Sequence, residues 1–291
     1  MSLIDNIGLG CVSLSTLPFE KTALKILNTA FEAGITHFDT APLYGNGYSE
    51  KIVGKFLKTK RNKISITTKF GLSPKNPKQI PVWMALPLNS IKKKLYPIPN
   101  NYNSFQAPVL IDYRKIDLSD IQNSFENSVK NLQVKYIDYY FLHEGLPFFL
   151  TDEAMKYLEI LKKNGDVGNV GIATSQINIK QLKADNCDFW DILQYENGSS
   201  YHPDDLINIY PNQRHFYHSI FKSSAANNIK PDYKNNINGM LLARSIYNNP
   251  KGKVLFGTSN INHLNINLKA LDNCNKMDIS LVNKSIENAF N

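Results

Sequence analysis

The sequence predicts a (β/α)8 TIM barrel, a closed parallel sheet surrounded by helices, as a single domain over residues 1–291. Short apolar or β-branched runs alternate with amphipathic segments along most of the chain. This alternation is typical of parallel strands joined by crossover helices. A chain of 291 residues is also an ordinary length for an α/β barrel that folds as one domain.

Each strand candidate in the first half of the chain is followed by a helix candidate. The strands are predicted at 7–14, 35–38, 64–68 and 136–142, and the helices at 21–33, 49–57, 119–132 and 152–163. The helix at 119–132 begins with Ser119 and Asp120, residue types that favour helix N-caps.

The second half repeats the pattern with less regular units. Strands are predicted at 167–173, 191–194, 215–221 and 254–256, and helices at 180–184 and 261–271. The sixth and seventh β/α units have the weakest periodicity, so their boundaries are the least defined. The total of eight strands favours a closed barrel over a sandwich.

Residues 73–117 form a long loop after the third strand. The segment holds 7 of the 14 prolines and several aromatic residues, among them Trp83. Loops of this length are uncommon unless they are functional or disordered. Because the segment leaves a strand at its carboxyl end, we expect it to cover the active-site face, and a plain surface insertion is the alternative.

Composition excludes several classes of protein. Lys and Arg number 33 against 25 Asp and Glu, a net charge of +8, but no basic helix or aromatic RNA-binding signature is present, so we expect no nucleic-acid partner. The positive charge fits either solubility or attraction of an anionic ligand. No stretch approaches 18 consecutive apolar residues, and the N terminus lacks the features of a signal peptide, so no membrane association is expected.

The three cysteines, Cys11, Cys187 and Cys274, are far apart in the sequence. They form neither a CxxC motif nor a disulfide framework, so we expect no metal site and a reduced, cytoplasmic protein.

Four residues carry most of the chemical information in the chain. Asp39, Lys69 and His143 each follow a strand candidate, and Tyr44 lies in the glycine-rich turn after the second strand. Barrel enzymes place their catalytic residues at these carboxyl ends. Taken singly, each residue has an ordinary alternative: a turn cap, a surface tyrosine, a solvated lysine and a hydrogen-bonded histidine. Their joint placement favours catalysis.

The four side chains together are suited to protonating a carbonyl oxygen. A tyrosine with a pKa near ~10 is a weak acid at neutral pH, and a neighbouring cation lowers that pKa. We therefore expect Lys69 to assist Tyr44 as the proton donor, Asp39 to hold Lys69, and His143 to position the oxygen. Since no nucleophile is required, the reaction needs a hydride donor, which indicates a nicotinamide cofactor.

At these residues the chain resembles the aldo-keto reductase family. The segments FDTAPLYGNGYSE, ITTKFG, YIDYYFLHE, NGDVGNVGIATS, ILQYE and VLFGTSNINHLNINLKAL are similar to that family's successive signatures, in the same order. The resemblance implies a barrel that binds NADPH in an extended form. It also implies that Asp39, Tyr44, Lys69 and His143 are the catalytic tetrad.

The end of the last strand and the following helix are expected to bind the cofactor phosphates. Gly257 and Thr258 precede the helix at 261–271, and backbone N–H groups at a helix start suit a phosphate, although a plain helix cap is the alternative. The resemblance places His263 where the family often has an arginine for the 2′-phosphate, which leaves use of NADH open. It also implies that Asn267 contacts the adenine.

Around the nicotinamide, the chain departs from the family pattern. The Ser-Asn pair that holds the carboxamide in the family is replaced here by Ala173 and Thr174. Thr174 retains a hydrogen-bonding side chain, and Gln194 matches the third carboxamide partner. The nicotinamide-stacking aromatic is expected at Tyr217, with Phe216 as the competing choice.

The sequence as a whole predicts an NAD(P)H-dependent oxidoreductase that reduces an aldehyde or ketone, with a sugar-derived carbonyl among the substrates considered. Its expected partner is this small-molecule substrate; the oligomeric state is not predicted. One alternative is a cofactor-binding regulatory or sensor subunit on the same barrel with little turnover. Another is an unrelated barrel enzyme such as a lyase or isomerase.

Overall fold

The computed structural model describes residues 2–72, 115–182, 187–197, 204–221, 229–234 and 236–290. Eight parallel strands pair in sequence order, and the last pairs with the first to close a barrel. The strands are β1 (Ile7–Gly10), β2 (His37–Asp39), β3 (Ser65–Phe70), β4 (Ile137–His143), β5 (Val167–Ala173), β6 (Ile192–Glu196), β7 (Arg214–His218) and β8 (Lys253–Phe256). The predicted (β/α)8 fold class is confirmed.

Helices connect the strands on the outside of the barrel. Within the described ranges they are α1 (Glu20–Glu32), α2 (Tyr48–Leu57), α3 (Leu118–Leu132), α4 (Asp152–Asn164), α5 (Gln176–Ile179), α6 (Asp204–Ile209), α7 (Ile237–Tyr247), α8 (Ile261–Asn273) and α9 (Ile279–Phe290). None of these helices is both long enough and apolar enough to cross a lipid bilayer.

Several boundaries differ from the sequence prediction for local reasons. The first strand ends at Gly10, because 12–16 forms a 3-10 helix where the apolar run suggested further strand. Helix α3 is capped by Asp117, whose side chain accepts from the N–H of Asp120, so the predicted cap at Ser119 is wrong. A helix capped by Ser175 spans Gln176–Ile179, before the predicted helix at 180–184, of which residues 183 and 184 lie outside the described residues.

The barrel interior is filled mainly by aromatic and aliphatic side chains. Phe141, Ala173, Ile192 and Phe216 form one buried cluster with Tyr139 packed against it. The ring of His37 meets Tyr139 and Phe216 edge-on, at centroid distances of 5.4 and 5.3 Å. A larger apolar layer lies between strands and helices. The packed interior closes the barrel below the carboxyl ends of the strands, so a ligand has access only from above.

Most of the predicted active-site loop, residues 73–114, lies outside the described residues. The position of Trp83 relative to Tyr44 therefore stays a prediction. The described end of this segment is anchored, because Ile116 forms a parallel bridge with Leu150 before α3 begins.

Candidate active site

Three of the four predicted catalytic side chains lie where neighbouring strands end. Asp39 is the last residue of β2, Lys69 the penultimate residue of β3 and His143 the last residue of β4. Parallel strands direct their carboxyl ends to one edge of the barrel, so these residues meet there. Each is at most 4% exposed.

Tyr44 reaches the same place through a tight turn after β2. Its backbone N–H donates to Ala41 O at 3.1 Å, and Gly45 follows with φ of 60°. A Cβ at Gly45 would lie 2.2 Å from Ser15 Cβ, so only glycine fits beside the 3-10 helix at 12–16. The glycine-rich sequence thus allows the turn that places Tyr44 over the barrel.

The ammonium group of Lys69 connects the phenol to the carboxylate. Lys69 Nζ lies 2.6 Å from Asp39 Oδ1, 2.9 Å from Thr40 O and 3.2 Å from Tyr44 Oη. An ammonium has three N–H donors, and these three acceptors occupy them. Because the lysine donates to the phenol oxygen, the phenol hydrogen remains for another acceptor.

Burial and the charge of Lys69 shift the pKa of Tyr44 in opposite directions. The sequence predicts that Lys69 lowers the pKa of Tyr44. In the structure, burial is the larger effect and raises the pKa of Tyr44 to about 12, although Lys69 acts in the lowering direction. The expected net direction is therefore wrong. The phenol stays protonated at neutral pH, as a proton donor must.

His143 lies beside the phenol as a neutral imidazole. Its ring meets the Tyr44 ring edge-on, with centroids 5.8 Å apart. Burial, and secondarily the charge of Lys69, hold the pKa of His143 well below its usual range. The Nδ1 atom has no hydrogen-bond partner among the described residues. The imidazole can therefore offer one N–H to a carbonyl oxygen without carrying charge.

Gln194 extends the network to β6. Its Nε2 donates to Asp39 Oδ2 at 2.9 Å, so both carboxylate oxygens of Asp39 are engaged. Its Oε1 is buried and has no partner in the described part of the chain. Unpartnered buried acceptors are uncommon in folded proteins, and Gln194 is one of the residues that line the cavity.

These groups surround a cavity of about 270 Å³ at the carboxyl end of the barrel. The lining combines the tetrad with apolar side chains and short stretches of glycine backbone. The lining residues are Gly10, Val12, Ser13, Asp39, Tyr44, Lys69, His143, Glu144, Ala173, Gln194, His218, Ser219, Ile220, Phe221, Leu255, Phe256 and Gly257. Their character fits a small organic ligand that has a polar reacting centre.

Of the predicted cofactor residues, Gln194 and Gly257 line this cavity, whereas Thr174 does not. The Thr174 hydroxyl accepts from Asn178 Nδ2 at 2.9 Å and lies 3.4 Å from Glu144 Oε2. One of these partners, Glu144, lines the cavity, although Thr174 itself does not. The carboxamide contact of Thr174 stays a prediction.

The residue of β7 that lines the cavity is not the predicted Tyr217. Tyr217 packs against Tyr195, with ring centroids 5.3 Å apart, in the layer between sheet and helices. Side chains alternate along a strand, so Phe216 points into the barrel interior and His218 lines the cavity. Tyr217 thus lies on the face of β7 that points away from the cavity, and the residue of β7 that lines the cavity is His218.

The residues predicted around α8 lie outside the cavity lining. Thr258 Oγ1 accepts from the N–H of Asn260, whose side chain caps the helix. His263 is exposed on the first turn. Asn267 is buried, and its Oδ1 accepts from Asn238 Nδ2 at 3.0 Å, so this oxygen is already used in packing α8 against α7.

Sequence reasoning missed His218 and Glu144. Glu144 directly follows His143, the last residue of β4. This adjacency to a catalytic candidate is the signal from which Glu144 could have been identified. His218 required the register of β7, which the ambiguous HFYHS segment did not reveal.

Comparison with known proteins agrees with this geometry. The family model "Aldo/keto reductase family" matches residues 6–231. The chain is 31% identical over 177 residues to the uncharacterized oxidoreductase YqkF of Bacillus subtilis, covering 60% of this chain and 47% of that protein. It is 30% identical over 182 residues to a D-threo-aldose 1-dehydrogenase of Pseudomonas sp., covering 59% of this chain and 50% of that protein.

A solved aldo-keto reductase from Klebsiella pneumoniae in complex with NADPH shares the fold. The TM-score is 0.60 at 18% identity, over 92% of this chain and 85% of that one. The chain spans about half the length of the curated relatives it matches. With the family model matching well over half of the sequence, and with the barrel and strand-end residues in place, the chain belongs to the aldo/keto reductase family.

Proposed function

We propose that the protein is an oxidoreductase that reduces an aldehyde or ketone to an alcohol with a nicotinamide cofactor, with Tyr44 as the proton donor. One observation carries the proposal: Lys69 Nζ contacts both Asp39 Oδ1 and Tyr44 Oη at the base of the cavity. A half-buried phenol held by a buried ammonium, beside a neutral histidine, is suited to protonating an oxygen on which negative charge develops.

The cavity also has features that fit a nicotinamide. The unpartnered Oε1 of Gln194 offers an acceptor for a carboxamide N–H₂ group. A Cβ at Gly257 would lie 2.8 Å from Gly10 O, so glycine at 257 lets the ends of β8 and β1 pack closely where both glycines line the cavity. When bound, the cofactor supplies a hydride to the carbonyl carbon.

The four polar residues then have separate roles. Asp39 holds the Lys69 ammonium, and Lys69 fixes the phenol oxygen of Tyr44. His143 donates an N–H to the carbonyl oxygen and orients it toward Tyr44. The phenol hydrogen, which Lys69 does not occupy, passes to that oxygen. Water is limited by the apolar side of the cavity, which includes Leu255 and Phe256.

NADPH is the proposed cofactor, with NADH as a second candidate. The helix start at α8 supports a phosphate site near Thr258, because N–H groups at a helix N-terminus favour anions. His263, exposed on the first turn, would be the neighbour of a 2′-phosphate, at the position where the family often has an arginine. We do not assign the adenine contact to the Oδ1 atom of Asn267, since Asn238 already occupies it.

The proposed partner is a small carbonyl compound. The D-threo-aldose 1-dehydrogenase among the relatives supports the inclusion of sugar-derived carbonyls. We do not pursue the regulatory-subunit alternative, because no observation on the described residues favours it.

Titration of the purified protein with NADPH and NADH, followed by turnover assays on aldehydes and aldoses, tests this proposal. We expect saturable quenching of protein fluorescence by at least one cofactor, and cofactor oxidation that depends on the carbonyl substrate. Binding without turnover across the panel would favour the regulatory subunit. Absence of binding by either cofactor would contradict both functions.

A further inference from the structure

Glu144 places a carboxylate in the catalytic cavity. It directly follows His143 and lines the same cavity as Tyr44. Its backbone is left-handed, with φ of 53°, a conformation that is uncommon for residues other than glycine, asparagine and aspartate. The N–H of Glu144 donates to Ala173 O at 2.7 Å, which fixes this conformation against β5. The backbone conformation therefore sets the direction of the Cα–Cβ bond of Glu144.

This carboxylate has no cationic partner among the described residues. Its one side-chain hydrogen bond is a long contact of 3.4 Å from the Thr174 hydroxyl. The cavity's lysine, Lys69, is committed to Asp39 at 2.6 Å. Burial, and then the nearby charge of Glu196, raise the pKa of Glu144. A positive group bound in the cavity would offset both effects.

Glu144 adds a carboxylate to the described lining of the cavity beside the Asp39–Lys69 ion pair. The charges of Asp39 and Lys69 cancel, while Tyr44 is a protonated phenol and His143 a neutral imidazole. Of the two carboxylates that line the cavity among the described residues, Asp39 is paired with Lys69 and Glu144 has no cationic partner. The net charge of +8 over the chain allows attraction of an anionic ligand. The carboxylate of Glu144 opposes an anion at this point of the cavity.

Building on the function proposed above, we propose that Glu144 is a specificity residue that binds an ammonium group on the carbonyl substrate. The substrate class is then amino-substituted aldehydes or ketones. Because Glu144 and His143 are consecutive, their Cα atoms lie about 3.8 Å apart. One small substrate can therefore place its ammonium group at Glu144 and its carbonyl oxygen at His143.

Substrates of matched shape test this assignment. The cationic probe is [(dimethylamino)methyl]benzaldehyde, the neutral probe is isobutylbenzaldehyde, which has almost the same shape, and the anionic probe is carboxybenzaldehyde, each as its 3- and 4-isomer. Values of kcat/KM are measured for the wild type, Glu144→Gln and the control Glu153→Gln, which removes the same charge from an exposed site on α4.

We expect the wild type to prefer the cationic over the neutral probe by about tenfold, as a close charge pair in a cavity allows. This preference should fall to within about twofold in Glu144→Gln and persist in Glu153→Gln. Equal ratios in the wild type and Glu144→Gln would overturn the proposal, as would a wild-type preference for the neutral or the anionic probe over the cationic one.

A binding measurement separates this proposal from the proposed function. Calorimetric dissociation constants are compared for the unreactive amides 4-[(dimethylamino)methyl]benzamide and 4-isobutylbenzamide. If no aldehyde is reduced, the proposed function fails. Tighter binding of the cationic amide by the wild type, lost in Glu144→Gln, would still support the ammonium site, and equal binding of the two amides would refute it.

Discussion

Gln194 joins the ion pair of the active site to an open hydrogen-bond acceptor. Its Nε2 donates to Asp39 Oδ2 at 2.9 Å, while its Oε1 is buried in the cavity wall with no partner among the described residues. Since Nε2 is bonded to Asp39, Oε1 is the amide atom of Gln194 that remains for the proposed carboxamide contact. The same side chain thus supports Asp39 and offers a contact to a ligand.

Gln194→Leu is expected to weaken NADPH binding about tenfold, because one hydrogen bond of roughly 1.4 kcal/mol to the cofactor is lost. Fluorescence titration measures the dissociation constant. Gln213→Leu is the control, since Gln213 Nε2 bonds to Cys187 O, away from the cavity lining. An unchanged dissociation constant in Gln194→Leu would remove this residue from the cofactor site.

Tyr44→Phe should lower kcat by at least ~100-fold, because general-acid catalysis commonly contributes this much. The dissociation constant for NADPH should remain within about twofold, since the ring is retained and Gln194 is unchanged. Stopped-flow turnover and fluorescence titration give the two values. Tyr136→Phe, on an exposed tyrosine, controls for loss of a hydroxyl elsewhere. Turnover retained in Tyr44→Phe would reject the tyrosine as the proton donor.

The kcat for carbonyl reduction should be nearly constant from about pH 6.5 to 9. Burial raises the pKa of Tyr44 to about 12, so the acid remains protonated over this range. The pKa of His143 lies well below 6.5, so the imidazole remains neutral. A pH profile of kcat checks the claim. A midpoint near pH 7 that disappears in His143→Gln would show that His143 titrates during turnover.

Asp39→Asn should destabilise the fold by about 3–5 kcal/mol, because it leaves the buried Lys69 ammonium without a counter-charge. Urea unfolding followed by circular dichroism measures the change. Glu20→Gln is the matched control: Glu20 pairs with Lys55 on the surface, where the side chains are 19% and 43% exposed, and it should cost less than about 1 kcal/mol. Similar losses in both variants would contradict the proposed strength of the buried pair.

The barrel fold and the proximity of Asp39, Lys69 and His143 could be predicted from the sequence. The alternation of strands with helices, and the residues at which strands end, are local features of the chain. The face of β7 could not be predicted. A shift of one residue in a strand exchanges its two faces, and HFYHS offers aromatic side chains on both. This is why Tyr217 was expected where His218 lies.

The electrostatics of the site also required the structure. The charge of Lys69 beside Tyr44 is visible in the sequence, whereas the degree of burial that raises the pKa of Tyr44 depends on packing from several strands. The same limit applies to Thr174, whose hydroxyl is oriented by Glu144 and Asn178. The sequence shows that Thr174 has a hydroxyl group, but the direction of that hydroxyl depends on the side chains packed around it.

Isotope transfer tests the central claim most directly. The wild-type protein is incubated with NADPH deuterated at both C4 positions and with a panel of aldehydes in ordinary water, and the alcohols are analysed by mass spectrometry. Reduction at the Asp39, Tyr44, Lys69 and His143 site predicts alcohols with one deuterium on the carbinol carbon and an ordinary hydroxyl hydrogen. Alcohols without deuterium, or aldehydes recovered unchanged across the panel, would contradict the proposed function.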